Sequence, residues 1–140
     1  MSALAADGAD SLVTPPAPQL ALGVDVVEIS RIVAAVSRYG ERFLARVYTA
    51  DERAYAALRG PALAVRFAAK EATAKALGTG IGPVGWRNIE IRNDAAGKPS
   101  LILHGAAAVI ARRAGFGEWQ VSVTHSRDLA TAFVVGFRAE

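Results

Sequence analysis

A chain of 140 residues, 52% hydrophobic and only 21% charged, has the length of one ordinary domain and ample apolar material for a core, which excludes a disordered protein. It contains no cysteine and only two histidines, His104 and His125, so disulfides, thiolate metal sites and histidine-rich zinc cages are excluded and any bound metal would be held by oxygen. Sixteen basic against thirteen acidic side chains leave a net charge of +3, which suits a nucleic acid, a phosphorylated ligand or an acidic protein without choosing among them.

The first ten residues, MSALAADGAD, place no basic side chain ahead of an apolar run, unlike a secretory signal, and the longest apolar run, 129–137, falls far short of a membrane span. A soluble cytosolic protein is expected. Residues 1–18 mix Ala, Asp, Gly and Ser with Pro15, Pro16 and Pro18 and show no period, so they read as a flexible extension ahead of a single domain at 19–140. Residues 19–29, rich in β-branched and aliphatic side chains, suit a largely buried strand, with Ser30 as the cap of the next helix. In that helix Ile32, Val33, Val36 and Tyr39 follow helical spacing, Arg31 and Arg38 occupy the other side, and Gly40 is the stop. Thr49 and Glu52 form a capping box that opens a helix over 50–59, which Gly60-Pro61 breaks.

Residues 66–80, RFAAKEATAKALGTG, read as a slim alanine-rich helix stopped by Gly78 and Gly80. A loop over 81–86 precedes strands at 88–93 and 100–104 joined by a hairpin turn at 94–99. A short helix over 105–114 closes at Gly115, and strands at 119–125 and 129–137 pair with each other. The whole is an α+β domain with helices packed on a small antiparallel sheet.

The run from Gly80 through Gly82 to Gly85 formally matches a dinucleotide fingerprint, but it follows a helix, contains Pro83 and precedes a strand, so it is rejected; a Gly-Lys-Ser/Thr phosphate loop is lacking too. Glu71 and Lys75 are four apart and share one helix face, as either a solvated ion pair or part of a site. Val24, Val26 and Val27 around Asp25 imply burial, and a buried carboxylate needs a partner. If Asp25 faces Glu71, the pair is a natural seat for magnesium; otherwise Asp25 caps a turn or accepts backbone N–H groups. Lys75 is then either a phosphate contact or a surface lysine, and His125, at the end of an alternating strand, a ligand contact or a structural histidine.

Three separated segments together resemble one known signature. Residues 23–31, GVDVVEISR, resemble the first motif of the phosphopantetheinyl transferase superfamily; residues 66–80 resemble the second, in the form found in holo-[acyl-carrier-protein] synthases; and residues 122–126, SVTHS, resemble the third. The likeness runs from about residue 20 to 137 and includes Gly97-Lys98-Pro99. It implies that superfamily's fold and transfer of 4′-phosphopantetheine from coenzyme A to a serine of apo acyl carrier protein, releasing adenosine 3′,5′-bisphosphate and supporting fatty acid biosynthesis. It also implies Asp25 and Glu71 as Mg2+ ligands, Glu71 and Lys75 as the catalytic pair, and Lys75, Gly78, Gly80, Lys98 and His125 around coenzyme A. Arg31, with Arg38 and Arg42 as weaker candidates for the same surface, would face the acidic carrier protein. A homotrimer with sites between adjacent subunits is implied as well. The proton acceptor for the carrier serine stays open between a metal-bound water and a carboxylate such as Glu71.

Two rivals stand beside this reading. One is a basic nucleic-acid module, which Tyr48, Trp86 and Trp119 argue against, being scattered instead of interleaved with basic residues as a stacking platform. The other is a relative that only binds coenzyme A. Neither nucleic acid nor a membrane is expected as a partner.

Overall fold

The structure, a computed structural model, describes residues 16–140. Strand β1 (Leu20–Glu28) leads into α1 (Ile29–Tyr39), α2 (Glu41–Val47), α3 (Ala50–Ala56) and the long α4 (Gly60–Leu77). A short helical turn, α5 (Ile81–Val84), and a 3-10 turn at Trp86–Asn88 precede the hairpin of β2 (Ile89–Asn93) and β3 (Pro99–Leu103). Helix α6 (Gly105–Ala114) and the strands β4 (Phe116–His125) and β5 (Leu129–Arg138) complete the chain. The expected helices and antiparallel strands are present, but the strands divide into two sheets, β1-β5-β4 and β2-β3. The hairpin packs on α4 instead of extending the larger sheet: Ile91 joins the main core, and Ile89 joins a second apolar cluster with Val84 and Ala107.

Antiparallel pairing sets Asp25 opposite Ala132, and Ala132 opposite Val123, so the middle of all three strands lies on one level. Ala21, Gly23 and Val27 of β1 and Ala130, Ala132, Val134 and Gly136 of β5 turn inward onto α4, whose Ala64, Ala68, Ala69 and Ala72 are wholly buried. Small residues on both sides bring helix and sheet close together. The expectation that β1 is largely buried holds for one face only. Leu22, Val24 and Val26 are each more than half exposed, because α4 covers the inner face and nothing among the described residues covers the outer one.

Ser30 is not the cap of α1. The helix starts at Ile29, two residues earlier than a Ser30 cap would set it, and the Ile29 N–H is satisfied by the Asp128 carbonyl at 2.8 Å, a backbone partner from the β4–β5 turn that makes a side-chain cap unnecessary. The Thr49–Glu52 capping box of α3 is formed, but the helix ends at Ala56 because Ala57 and Leu58 take left-handed φ angles of 47° and 64°. Gly60 and Pro61 are the first turn of α4 instead of a break before it, a position where proline's missing N–H costs nothing. The 81–86 segment, expected as a loop, contains α5, held by Asn88 Nδ2 donating to the Val84 carbonyl at 2.9 Å. Of the expected extension over 1–18, only residues 16–18 fall within the described residues; there Arg138 Nε donates to the Pro18 carbonyl at 2.6 Å.

The hairpin is fastened to α4 by a buried ion pair. Lys70 Nζ donates to Glu52 Oε1 at 2.7 Å, to the Trp86 carbonyl at 3.0 Å and to the Ile89 carbonyl at 2.5 Å. Glu52 accepts in addition from the backbone N–H groups of Thr49 and Ile91, each at 3.0 Å. One connected set of bonds thereby joins α3, α4, the 3-10 turn and β2.

Candidate active site

Where β1 crosses α4, three of the expected site residues meet. Asp25 points inward from the strand, and Lys75 Nζ donates to its Oδ1 at 2.9 Å and to the Val24 carbonyl at 3.1 Å. Lys75 therefore pairs across to β1 and not with Glu71 along its own helix, which removes the reading of residues 71 and 75 as an ordinary surface pair. Glu71, one turn back, feels this cluster: burial and the Asp25 charge push its carboxyl above the ordinary range, while the charges of Lys75 and Arg31 pull the other way. Arg31 projects from the first turn of α1, so four charged groups from three elements share one corner.

Asp25 and Glu71 form a donor set of hard oxygens from two separate elements, held close enough for their charges to oppose each other. Among the described residues there is no group of three or more His, Asp or Glu that could cage a metal on its own. That composition fits magnesium, which commonly takes one or two carboxylates and fills its octahedron with water and substrate phosphate, and does not fit an all-protein cage.

His125 lies elsewhere. It lines a cavity of about 510 Å³ together with Tyr55, Arg59, Arg66, Asn93 and Gly97, between the start of α4 and the β2–β3 hairpin. Arg66 is almost wholly buried there. Its Nη1 donates to the Ala62 carbonyl at 3.2 Å, its Nη2 to Asn93 Oδ1, its guanidinium lies 4.6 Å from the centre of the Tyr55 ring, and its Nε has no partner among the described residues. Burial pulls the Arg66 pKa down, against the opposing charge of Glu52. Arg59, the N-cap residue of α4, reaches the same ring with its guanidinium 5.5 Å from the ring centre, and donates to the Ala56 and Tyr55 carbonyls at 3.1 and 2.9 Å. Sequence reasoning missed Tyr55, Arg59 and Arg66 as site residues. The one signal available was an arginine set among alanines in a helix that must bury most of its surface.

The other expected site residues join neither group by a side-chain hydrogen bond or ion pair, although the Gly78 N–H donates to the Lys75 carbonyl at 3.0 Å. Gly78 ends α4 with a left-handed φ of 74°, and Gly80, with a φ of 70°, precedes α5; each has open space where a Cβ would stand. Lys98 is exposed in the hairpin turn, its N–H donating to Asp94 Oδ1 at 2.9 Å. Arg38 lies exposed on α1 over the Tyr39 ring at 5.3 Å, and Arg42 lines a shallow hollow with Tyr39, Phe43 and Arg46. A helix long and apolar enough to cross a membrane is absent among the described residues.

Residues 21–134 match the model of the 4′-phosphopantetheinyl transferase superfamily, and the chain belongs to that superfamily. Within it, the chain is 51% identical over 124 residues to the holo-[acyl-carrier-protein] synthase of Herpetosiphon aurantiacus, covering 84% of this chain and 98% of that protein. It is 54% identical over 118 residues to the one of Solidesulfovibrio magneticus, covering 81% and 94%. The crystal structure of holo-[acyl-carrier-protein] synthase from Neisseria meningitidis superposes with a TM-score of 0.77 at 38% identity, covering 84% of this chain and 98% of that one. The Helicobacter pylori synthase, solved in complex with coenzyme A, gives a TM-score of 0.76 at 29% identity, covering 82% and 98%. The fold implied by the resemblance is the fold observed.

Proposed function

We propose that the protein is a magnesium-dependent holo-[acyl-carrier-protein] synthase, which moves 4′-phosphopantetheine from coenzyme A to a serine hydroxyl of apo acyl carrier protein. The observation that carries this reading is the meeting of Asp25, Glu71 and Lys75 at the β1–α4 crossing, with Lys75 on Asp25 at 2.9 Å. In the reaction the serine oxygen forms a bond to the β-phosphorus of coenzyme A, the bond from that phosphorus to the bridging oxygen breaks, and adenosine 3′,5′-bisphosphate leaves. Asp25 and Glu71 would hold the metal, which supplies charge neutralisation to the pyrophosphate and its departing oxygen. Lys75, half in solvent, exchanges its carboxylate for a phosphate oxygen of the substrate. For the serine proton, a water at the site and a carboxylate such as that of Glu71 are the two candidate acceptors.

The basic cavity supplies the other requirement of the substrate. Arg59, Arg66 and His125 offer phosphate-binding groups, and Tyr55 an aromatic face, for the nucleotide end of coenzyme A. In one chain the carboxylate corner and this cavity are separate, and the outer face of the large sheet exposes Leu20, Leu22, Val24, Val26, Phe133 and Phe137 together. A trimer in which that apolar face is shared, and each site draws on two neighbouring subunits, accounts for both facts. Lys98, Gly78 and Gly80 act as coenzyme A contacts in that assembled site. Arg31, Arg38 and Arg42 present a basic surface to the acidic carrier protein, and the product serves fatty acid biosynthesis in the cytoplasm.

Incubation with coenzyme A, magnesium and apo carrier protein adds the mass of the phosphopantetheine arm to the carrier serine. The reading fails if several carrier proteins gain no mass, and tight coenzyme A binding without transfer would leave a binding protein in its place. Sedimentation at micromolar concentration checks the trimer, which a monomer at all concentrations would rule out.

A further inference from the structure

We infer that Gly23 is a positioning residue of the active site: its missing side chain sets the β1–α4 spacing at which Asp25 and Glu71 can reach one cation. A Cβ built at Gly23 would stand 1.8 Å from the Ala72 carbonyl oxygen, 2.7 Å from the Ala72 carbonyl carbon and 3.1 Å from the Ala76 nitrogen. All three are backbone atoms of the long helix, so no rotamer change relieves the clash. Restoring an ordinary carbon–oxygen contact of about 3.3 Å requires strand and helix to part by about 1.5 Å. The glycine is not there for its φ angle, since Gly23 sits in regular extended pairing opposite Val134.

The location of the contact gives it a role in the site. Gly23 and Asp25 point to the same face of β1, two residues apart, while Ala72 adjoins Glu71 and Ala76 adjoins Lys75. A displacement at this point therefore moves Asp25 away from both site residues of α4 at once. Magnesium holds its ligands at about 2.0–2.1 Å with little tolerance, so a change of the order of an ångström between the two carboxylates is enough to take one of them out of reach. Gly136 on the neighbouring strand makes a useful contrast. Its Cβ would meet the Trp119 ring edge at 2.7 Å, a side chain and not backbone, and Gly136 lies outside the site.

This inference rests on the metal reading given above, and direct ion binding separates the two. Mn2+ is titrated into wild type, Gly23→Ala, Gly136→Ala and Asp25→Ala, with free Mn2+ read by electron paramagnetic resonance and folding by circular dichroism at the same temperature. Wild type and Gly136→Ala are expected to bind Mn2+ alike, Asp25→Ala to lose binding, and folded Gly23→Ala to bind at least tenfold more weakly. In turnover, the magnesium concentration for half-maximal rate rises by a similar factor in Gly23→Ala. Should Gly23→Ala fail to fold, Ala72→Val widens the same junction from the helix side and carries the same expectation. A folded variant that melts earlier yet binds Mn2+ as wild type does would reduce Gly23 to a packing residue and overturn the inference. Absence of saturable Mn2+ binding by wild type, with and without coenzyme A, would overturn the metal reading and the inference with it.

Discussion

Lys70 and Lys75 lie five residues apart on one helix, and each meets a carboxylate from a distant part of the chain, yet the two pairs have opposite surroundings. Lys70 and Glu52 are both 0% exposed at 2.7 Å, whereas at the other pair, 2.9 Å long, the Lys75 side chain is 56% exposed and Asp25 17%. In the first pair the ammonium bonds to Glu52 and two carbonyls, and Glu52 also accepts two backbone N–H groups. In the second, Lys75 holds one carboxylate oxygen and one carbonyl and keeps the rest of its hydration. A charge pair sealed on every side serves as a strut. One that is half open can change partners, which is what binding a phosphate requires.

Breaking the strut should have the largest effect. Lys70→Met leaves Glu52 buried without its cation and should cost about 3–5 kcal/mol in urea unfolding, a large part of the roughly 5–15 kcal/mol that holds a domain together. The double change Glu52→Leu with Lys70→Met should recover much of that loss, because neither charge then remains in the core. A single Lys70→Met variant that melts within a degree or two of wild type would contradict the assignment.

Asp25→Ala and Glu71→Ala should do the reverse, keeping the fold and removing activity. Loss of one oxygen ligand should lower turnover by roughly a thousandfold, equivalent to about 4 kcal/mol of barrier, while melting changes little. Retained activity at equal magnesium would show that the carboxylate concerned does not hold the ion. Lys75→Ala comes next: an exposed pair is worth less than about 1 kcal/mol to stability, so the variant should melt near wild type while its KM for coenzyme A rises roughly tenfold, the equivalent of about 1.4 kcal/mol. A large drop in stability with unchanged KM would mean that the two lysines play the same part.

Half of this contrast is legible in the sequence. Glu71 and Lys75 at helical spacing, with an acidic residue in a preceding strand, mark the open pair because periodicity within a helix and polarity within an apolar strand are local signals. Asp25 is shielded as expected, though not by the valines beside it, which point outward; α4 shields it, and that is a fact of packing between elements. The closed pair is hidden because Lys70 looks like any other helix lysine until β2 and the 3-10 turn close over it. Arg66 escapes notice for the same reason, since its partner Asn93 lies 27 residues away. The division of the strands into two sheets is hidden too, as the alternation of β2 does not say which strand it will pair with.

The smallest expected effect tests the open corner by pH. Two glutamates shift in opposite directions. For Glu90, burial raises the pKa, but hydrogen bonds from His104 and Thr49 and the charge of Arg92 outweigh it and bring the carboxyl below its ordinary value of 4.5. Glu71 goes above 4.5, through burial and then the charge of Asp25. A folded-state pKa below the unfolded one gives stability that is present above the ordinary value and lost as pH falls through the folded value, so Glu90 favours the fold at neutral pH. A folded-state pKa above the unfolded one does the opposite. The Glu71 contribution is fully present below 4.5 and disappears as pH rises through the raised value, where the carboxyl must ionise beside Asp25. Melting curves of wild type and Glu71→Gln, taken across pH 4 to 7 without divalent ions, should therefore diverge, the variant gaining relative to wild type by a few degrees as pH rises. Saturating magnesium should close the gap from the wild-type side, because a cation favours the ionised carboxyl and the glutamine offers it much less. Parallel curves with and without magnesium would mean that Glu71 sits apart from Asp25 in solution, and the corner would lose its claim to a metal.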